Sequence, residues 1–142
     1  MDFGLMLFRW STLQNAVREG VRYAITFQRD TGNSLGQTDS IREVVERYSL
    51  NMVKRTDSPQ HIFVCYASPS SPSTCIPSGG NIPGNIVEVS VRNITMKWLA
   101  PLSGSYSSAV APFFRSSTPI NLSVYSADIL GGYPAGSSSV PE

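Results

Sequence analysis

The chain has 142 residues and a net charge of +1, enough for one domain with a modest core and without the basic excess of a general nucleic-acid binder. Charged residues make up only 15%, against the usual quarter. Ser, Thr, Pro, Gly and Asn stand in their place, a balance that suits an extracytoplasmic domain of strands and loops better than a cytosolic enzyme with a charged surface.

The opening "MDFGLMLFRW" is nearly all apolar until Arg9 interrupts it. A bilayer span needs about 20 apolar residues, so this run is too short alone, and it lacks the basic leader and small-residue cleavage site of a signal peptide. It reads as the last turns of a membrane helix; the alternative is a soluble helix that hides its apolar end in a partner. The helical pattern runs from residue 3 to about residue 27. Leu13, Val17, Val21 and Ala24 recur at spacings of three and four and form one face. Ala16, Gly20 and Ala24 form a stripe of small residues beside it. Glycine within a helix costs about 1 kcal/mol against alanine, and close approach of another backbone is the usual compensation. Two occupants fit that groove: a helix of another subunit, or the chain's own sheet. Arg18, Glu19 and Arg22 decorate the remaining face, with Glu19 and Arg22 spaced to pair at i, i+3.

"RDTGNSLGQTDS" follows and reads as a loop. A second helix is expected from Asp39 or Ser40, where Ser40 and Glu43 fit a capping box. Its apolar face holds Ile41, Val44, Val45 and Tyr48, extended by Met52, and "KRTDSPQ" ends it because Pro59 cannot continue a helix. Asp30, Asp39 and Asp57 lie near loops or caps, and capping is their expected role.

The rest reads as strands. "HIFVCYA" is short and rich in β-formers, and "SPSSPSTCIPSGGNIPGN" is a long Pro/Ser/Gly loop. In "IVEVSVRNITMKWL" Val87, Val89 and Val91 face one side. Past Asn93 the phase flips to Ile94, Met96 and Trp98, which predicts a β-bulge near Arg92 and Asn93. "APLSGSYSSAVAPFFRSSTP" is a long connection with Phe113 and Phe114 tucked against the core. "INLSVYSADI" is the last strand, with Ile120, Leu122 and Val124 on one face. The tail "GGYPAGSSSVPE" reads as frayed or extended. The expected fold is α+β: a long N-terminal helix (residues 1–28), a globular part (residues 29–130) with a short second helix on a small antiparallel sheet of about three strands, and a tail (residues 131–142). The C-terminal half of the long helix would lie on the sheet and its N-terminal half would project.

Cys65 and Cys75 are the two cysteines and His61 the lone histidine, with no zinc spacing among them. A disulfide closing "CYASPSSPSTC" would add roughly 2–3 kcal/mol and implies an oxidising compartment; two unpaired core thiols are the alternative. No nucleophile elbow, metalloprotease helix or phosphate loop is present, and a serine nucleophile would have only His61 as a base. The chain is read as a non-enzyme with no catalytic residue, metal, cofactor or small-molecule substrate. Tyr66, Tyr106, Tyr125 and Tyr133 are read as strand packing.

The segments "DFG" (residues 2–4) and "LQNAVREGVRYA" (residues 13–24) resemble the TadE-like family of tight-adherence pilus proteins. In that family an N-terminal membrane helix runs directly into a segment close to "DFGR…LQNAAREGARYA". Asp2, Phe3 and Gly4 match, as do Leu13, Gln14, Asn15, Ala16, Arg18, Glu19, Gly20, Arg22, Tyr23 and Ala24. Leu5 stands where arginine is common, and Val17 and Val21 where alanine is common; these changes keep the helix and deepen its apolar face. The motif covers about the first fifth of the chain. The resemblance implies a pilin-like fold and a minor pilin, pseudopilin or assembly factor. Its helix would sit in the bacterial inner membrane before assembly and pack among other pilin-like subunits afterwards, with the globular part in the periplasm or on a cell-surface filament. The expected packing residues are Phe3, Leu7, Leu13, Ala16, Val17, Gly20, Val21 and Ala24. Two alternatives remain at this point. One is a self-polymerising major filament subunit. The other is a membrane-anchored binding module whose loop at 68–85 and aromatic segment at 106–114 contact another surface.

Overall fold

A computed structural model describes residues 2–96 and 120–142. The elements are α1 (Asp2–Ile25), α2 (Gln37–Tyr48), β1 (Ile62–Ser68), β2 (Ser71–Cys75), β3 (Ile86–Met96) and β4 (Ile120–Ile129). The strands lie in the order β2-β1-β3-β4 and each neighbouring pair is antiparallel. α1 packs across β3 and β4 and against α2, which in turn meets β1. The fold is α+β, with a long helix and a shorter one on a small antiparallel sheet, as the sequence predicts.

The core is built from the expected periodicities. Leu13, Ala16, Val17, Val21 and Ala24 of α1 are fully buried with Ile41 and Val45 of α2. They meet Ile62 and Tyr66 of β1, Val87, Val89 and Val91 of β3, and Val124 of β4. α1 stops where Phe27, at φ 51°, leaves the right-handed region and its N–H returns to the Ala24 carbonyl at 3.0 Å. The core draws on both sides of residue 28, so α1 is an integral wall of the globule from Leu13 onward. Before that point it projects.

The phase flip in β3 is a bulge. The register with β4 shifts between Val91 and Ile94, and Asn93 takes φ 62°, a left-handed value that asparagine tolerates better than most residues. The extra residue lets Val91 and Ile94 both reach the core. Trp98, Tyr106, Phe113 and Phe114 lie outside the described residues.

Four expectations are corrected. The stretch read as a loop after β1 contains β2, which pairs with β1 through Ala67 and Cys75. Pro72 is compatible with it because β2 is an edge strand. The capping box at Ser40 does not form: α2 begins at Gln37 with Gly36 as N-cap and no side-chain cap. The Ser40 hydroxyl donates to the Gly36 carbonyl at 2.7 Å and accepts the Asp30 N–H at 2.9 Å. α2 also ends earlier than Pro59 demands, because Ser49 caps it and Leu50 and Asn51 both have positive φ. Finally, the tail is seated rather than frayed. Gly131 N–H bonds the Ile25 carbonyl at 3.2 Å, Tyr133 packs on Phe27 with ring centroids 4.8 Å apart and the rings tilted by 56°, and residues 140–142 are hydrogen-bonded near the start of α2.

The inner-membrane placement is corrected as well. Among the described residues no helix is long and apolar enough to cross a membrane. With 24 residues, α1 has the length, about 36 Å. Its composition fails, because Arg9, Gln14, Asn15, Arg18, Glu19 and Arg22 break the apolar run that a span requires.

Candidate functional site at the exposed start of the first helix

The groove along Ala16, Gly20 and Ala24 is already filled. A methyl group at Gly20 would lie 2.7 Å from Val45 Cγ2, 3.5 Å from Val89 Cγ1 and 3.6 Å from Ile41 Cγ2. Side chains of α2 and β3 of the same chain fill the groove. The assembly surface expected at Leu13, Ala16, Val17, Gly20, Val21 and Ala24 is therefore corrected: these residues form the chain's own core. The reason is geometric. The sheet and α2 both need α1 as their cover, and only small side chains let two layers approach it at once.

Of the surface expected for assembly on α1, the start of the helix is the part outside the core. Phe3 lies in its first turn. Leu5, Leu7, Phe8 and Trp10 are 43%, 49%, 58% and 46% exposed. These residues point in several directions around the helix. The Thr12 hydroxyl bonds back to the Phe8 carbonyl at 2.8 Å.

The other motif residues divide by role. Gln14 donates to the Tyr125 carbonyl at 3.3 Å and so satisfies an acceptor on the edge strand β4. Glu19 and Arg22 pair at 3.2 Å. Gly4, Asn15 and Arg18 are exposed, and Asp2 opens the helix. Tyr23 packs on the core rim, where burial first, then the Asp30 and Glu43 carboxylates, push its phenol above the usual range, with Ser40 opposing.

Cys65 and Cys75 are bonded, with Cα atoms 5.4 Å apart, and fasten β2 to β1. His61 Nδ1 lies 3.1 Å from the Arg92 carbonyl, beside the bulge. Asp30 caps the turn at Gly32 and Asn33, and Asp57 accepts the Lys54 N–H. Asp39 pairs with Arg42 at 3.0 Å instead of capping α2. The cleft beside α2 gathers Glu43, Glu46, Arg47 and Arg55, but Glu43 pairs with Arg47 and Glu46 accepts the Arg55 N–H at 2.9 Å. Among the described residues no group of three His, Cys, Asp or Glu could hold a metal ion.

A buried polar network escaped the sequence. Gln37, fully buried, donates through Nε2 to the Ala24 carbonyl at 3.0 Å. Its Oε1 accepts from Asn81 Nδ2 at 2.9 Å, and Asn81 Nδ2 also reaches the Val140 carbonyl at 2.8 Å. Nearby, Asn85 Nδ2 donates to the Gly80 carbonyl at 2.8 Å. Polar residues in a loop-like sequence carry no signal of this kind, because their partners lie far along the chain. Tyr66, also buried, shares a hydrogen bond with the Thr38 hydroxyl at 3.2 Å. Burial pushes its phenol up to about 12, with Thr38 opposing.

The opposite face of the sheet exposes Phe63, Tyr125 and Ile129, with the Arg92 guanidinium 5.6 Å from the Phe63 ring centre. No family model matches the chain, and no curated protein or solved structure matches it.

Proposed function

We propose that this chain is a structural subunit of a repeated, pilus-like assembly of the tight-adherence kind, joined to its neighbours through the start of α1. The observation that carries the reading is the cluster of Leu5, Leu7, Phe8 and Trp10, between 43% and 58% exposed on a helix that projects from the core. Large apolar side chains exposed together on one projecting segment support an interaction site there. The resemblance of residues 2–4 and 13–24 to the TadE-like motif points the same way. In this reading the motif has two parts: residues 13–24 hold the subunit together, and the turns before them hold subunits to one another.

The magnitudes favour many contacts over one. Burying the exposed half of four large side chains yields about 5 kcal/mol gross, which the cost of association would largely consume in a single pair. A projecting helix surrounded by several copies repeats the gain on each flank.

The test is sedimentation velocity of the full chain beside a variant carrying Leu7→Ser, Phe8→Ser and Trp10→Ser. The parent chain is expected to associate with rising concentration, and the variant to stay monomeric with an unchanged melting temperature, since these side chains lie outside the core. A variant that associates as the parent does would remove the helix start from the interface.

A further inference from the structure

The segment at residues 140–142 sits in a cradle built for it. The Pro141 carbonyl accepts the Gln37 N–H at 2.9 Å, the Val140 carbonyl accepts from Asn81 Nδ2 at 2.8 Å, and the Glu142 carboxylate accepts the Gly79 N–H. Both side-chain members of the cradle are buried and mutually bonded: Gln37 is 0% and Asn81 5% exposed. Val140 rests against the core. Gly36 adopts φ −69° and ψ 172°, a conformation open to any residue, so its backbone does not require glycine. Its missing side chain does: a methyl group at 36 would overlap the Glu142 backbone carbonyl. The glycine leaves room for the seated segment.

Residues 134–139, "PAGSSS", which connect this segment to the packed Tyr133, are all exposed, and the Gly/Ser composition makes a flexible tether. The site is thus a peptide-docking cradle whose ligand is delivered on a leash. A second copy of the chain carries the same ligand and makes the same contacts, and exchange of an identical element between copies is a low-cost route to association. We propose that the cradle at Gly36, Gln37, Gly79 and Asn81 is an interface between copies of this chain, filled by residues 140–142 of a neighbour in place of its own. This interface is separate from the start of α1 and does not depend on it.

Two measurements test the exchange on the full chain. Deleting residues 137–139 shortens the leash and favours a neighbour's cradle over the chain's own. Made in the Leu7→Ser, Phe8→Ser, Trp10→Ser background, which removes association through α1, this deletion is expected to give dimers by light scattering after size exclusion, from about 5 µM to about 500 µM, that Gly36→Ala returns to monomers. Dimers that survive Gly36→Ala, or monomers throughout, would overturn the proposal. In the second, Val140→Asp weakens the chain's hold on its own segment, and a fluorescent peptide of residues 134–142 is titrated in. Saturable binding that Gly36→Ala weakens by about tenfold or more is expected. A flat titration in a Val140→Asp chain that still melts cooperatively would overturn the exchange; should that variant fail to fold, the dimer measurement decides alone. Either failure leaves the α1 reading intact, because the variants at Leu7, Phe8 and Trp10 report on a different surface.

Discussion

Gly20→Ala measures directly what fills the groove on α1. In an open helix face the substitution would stabilise the chain by about 1 kcal/mol, from helix propensity and a less flexible unfolded state. Here the new methyl lies 2.7 Å from Val45 Cγ2, about 1 Å inside ordinary carbon contact. Val45 is fully buried, sits on α2, and as a β-branched helical residue has one strongly preferred rotamer. It cannot swing away, so α1 and α2 must part. Overpacking of this kind costs about 1–3 kcal/mol, and the net change is a destabilisation of about 1 kcal/mol. Val45→Ala alone removes two buried methyls and costs about 2 kcal/mol. In that background the methyl at 20 enters vacated space and keeps its helical advantage, so the double variant should be more stable than Val45→Ala. The assay is a double-mutant cycle by urea unfolding, with an expected coupling of about 2 kcal/mol in the compensating direction. Additive effects, or a Gly20→Ala chain more stable than the parent by about 1 kcal/mol, would refute the packing of α1 on α2.

Three further outcomes follow from the geometry. Replacing Cys65 and Cys75 by serine should lower stability by about 2–3 kcal/mol from loop entropy, seen as a depressed melting temperature that reductant reproduces in the parent. Gln37→Ala leaves the Ala24 carbonyl and Asn81 amide short of partners inside the protein and should cost about 2–4 kcal/mol in denaturant unfolding. For Tyr66 the folded phenol titrates near 12 against a usual 10.0; between these values the unfolded state loses a proton that the folded state keeps, so stability falls as pH rises. The contribution is complete below about pH 10 and about 2–3 kcal/mol is lost by pH 12, and Tyr66→Phe should flatten that slope in unfolding curves recorded from pH 9 to 11.5.

Where a signal is local, the sequence carried it. The three-and-four spacing of Leu13, Val17, Val21 and Ala24 placed the core face of α1, and the shift from odd to even positions after Asn93 located the bulge. β2 was illegible because Ser71, Pro72, Ser73 and Thr74 have no apolar alternation; they are a strand only because β1 offers an edge and Cys75 is tied to Cys65. The tail was illegible for a related reason. "GGYPAGSSSVPE" has the composition of a loose end, and its order comes from Gln37, Gly79 and Asn81, which lie some 60 to 100 positions away along the chain.

By itself, then, the amino-acid order determined which faces would be buried, where the chain would bend, and that an apolar helix start would stand apart from a polar, loop-rich body. Only the tertiary structure decided what lies against each face: α2 and β3 in the groove at Gly20, the edge of β4 beside Gln14, and residues 140–142 at the mouth of α2. Periodicity reports that a surface leaves water, a property of neighbours in sequence. The identity of the surface that replaces the water depends on how distant segments close together, and that is settled by packing across the whole core.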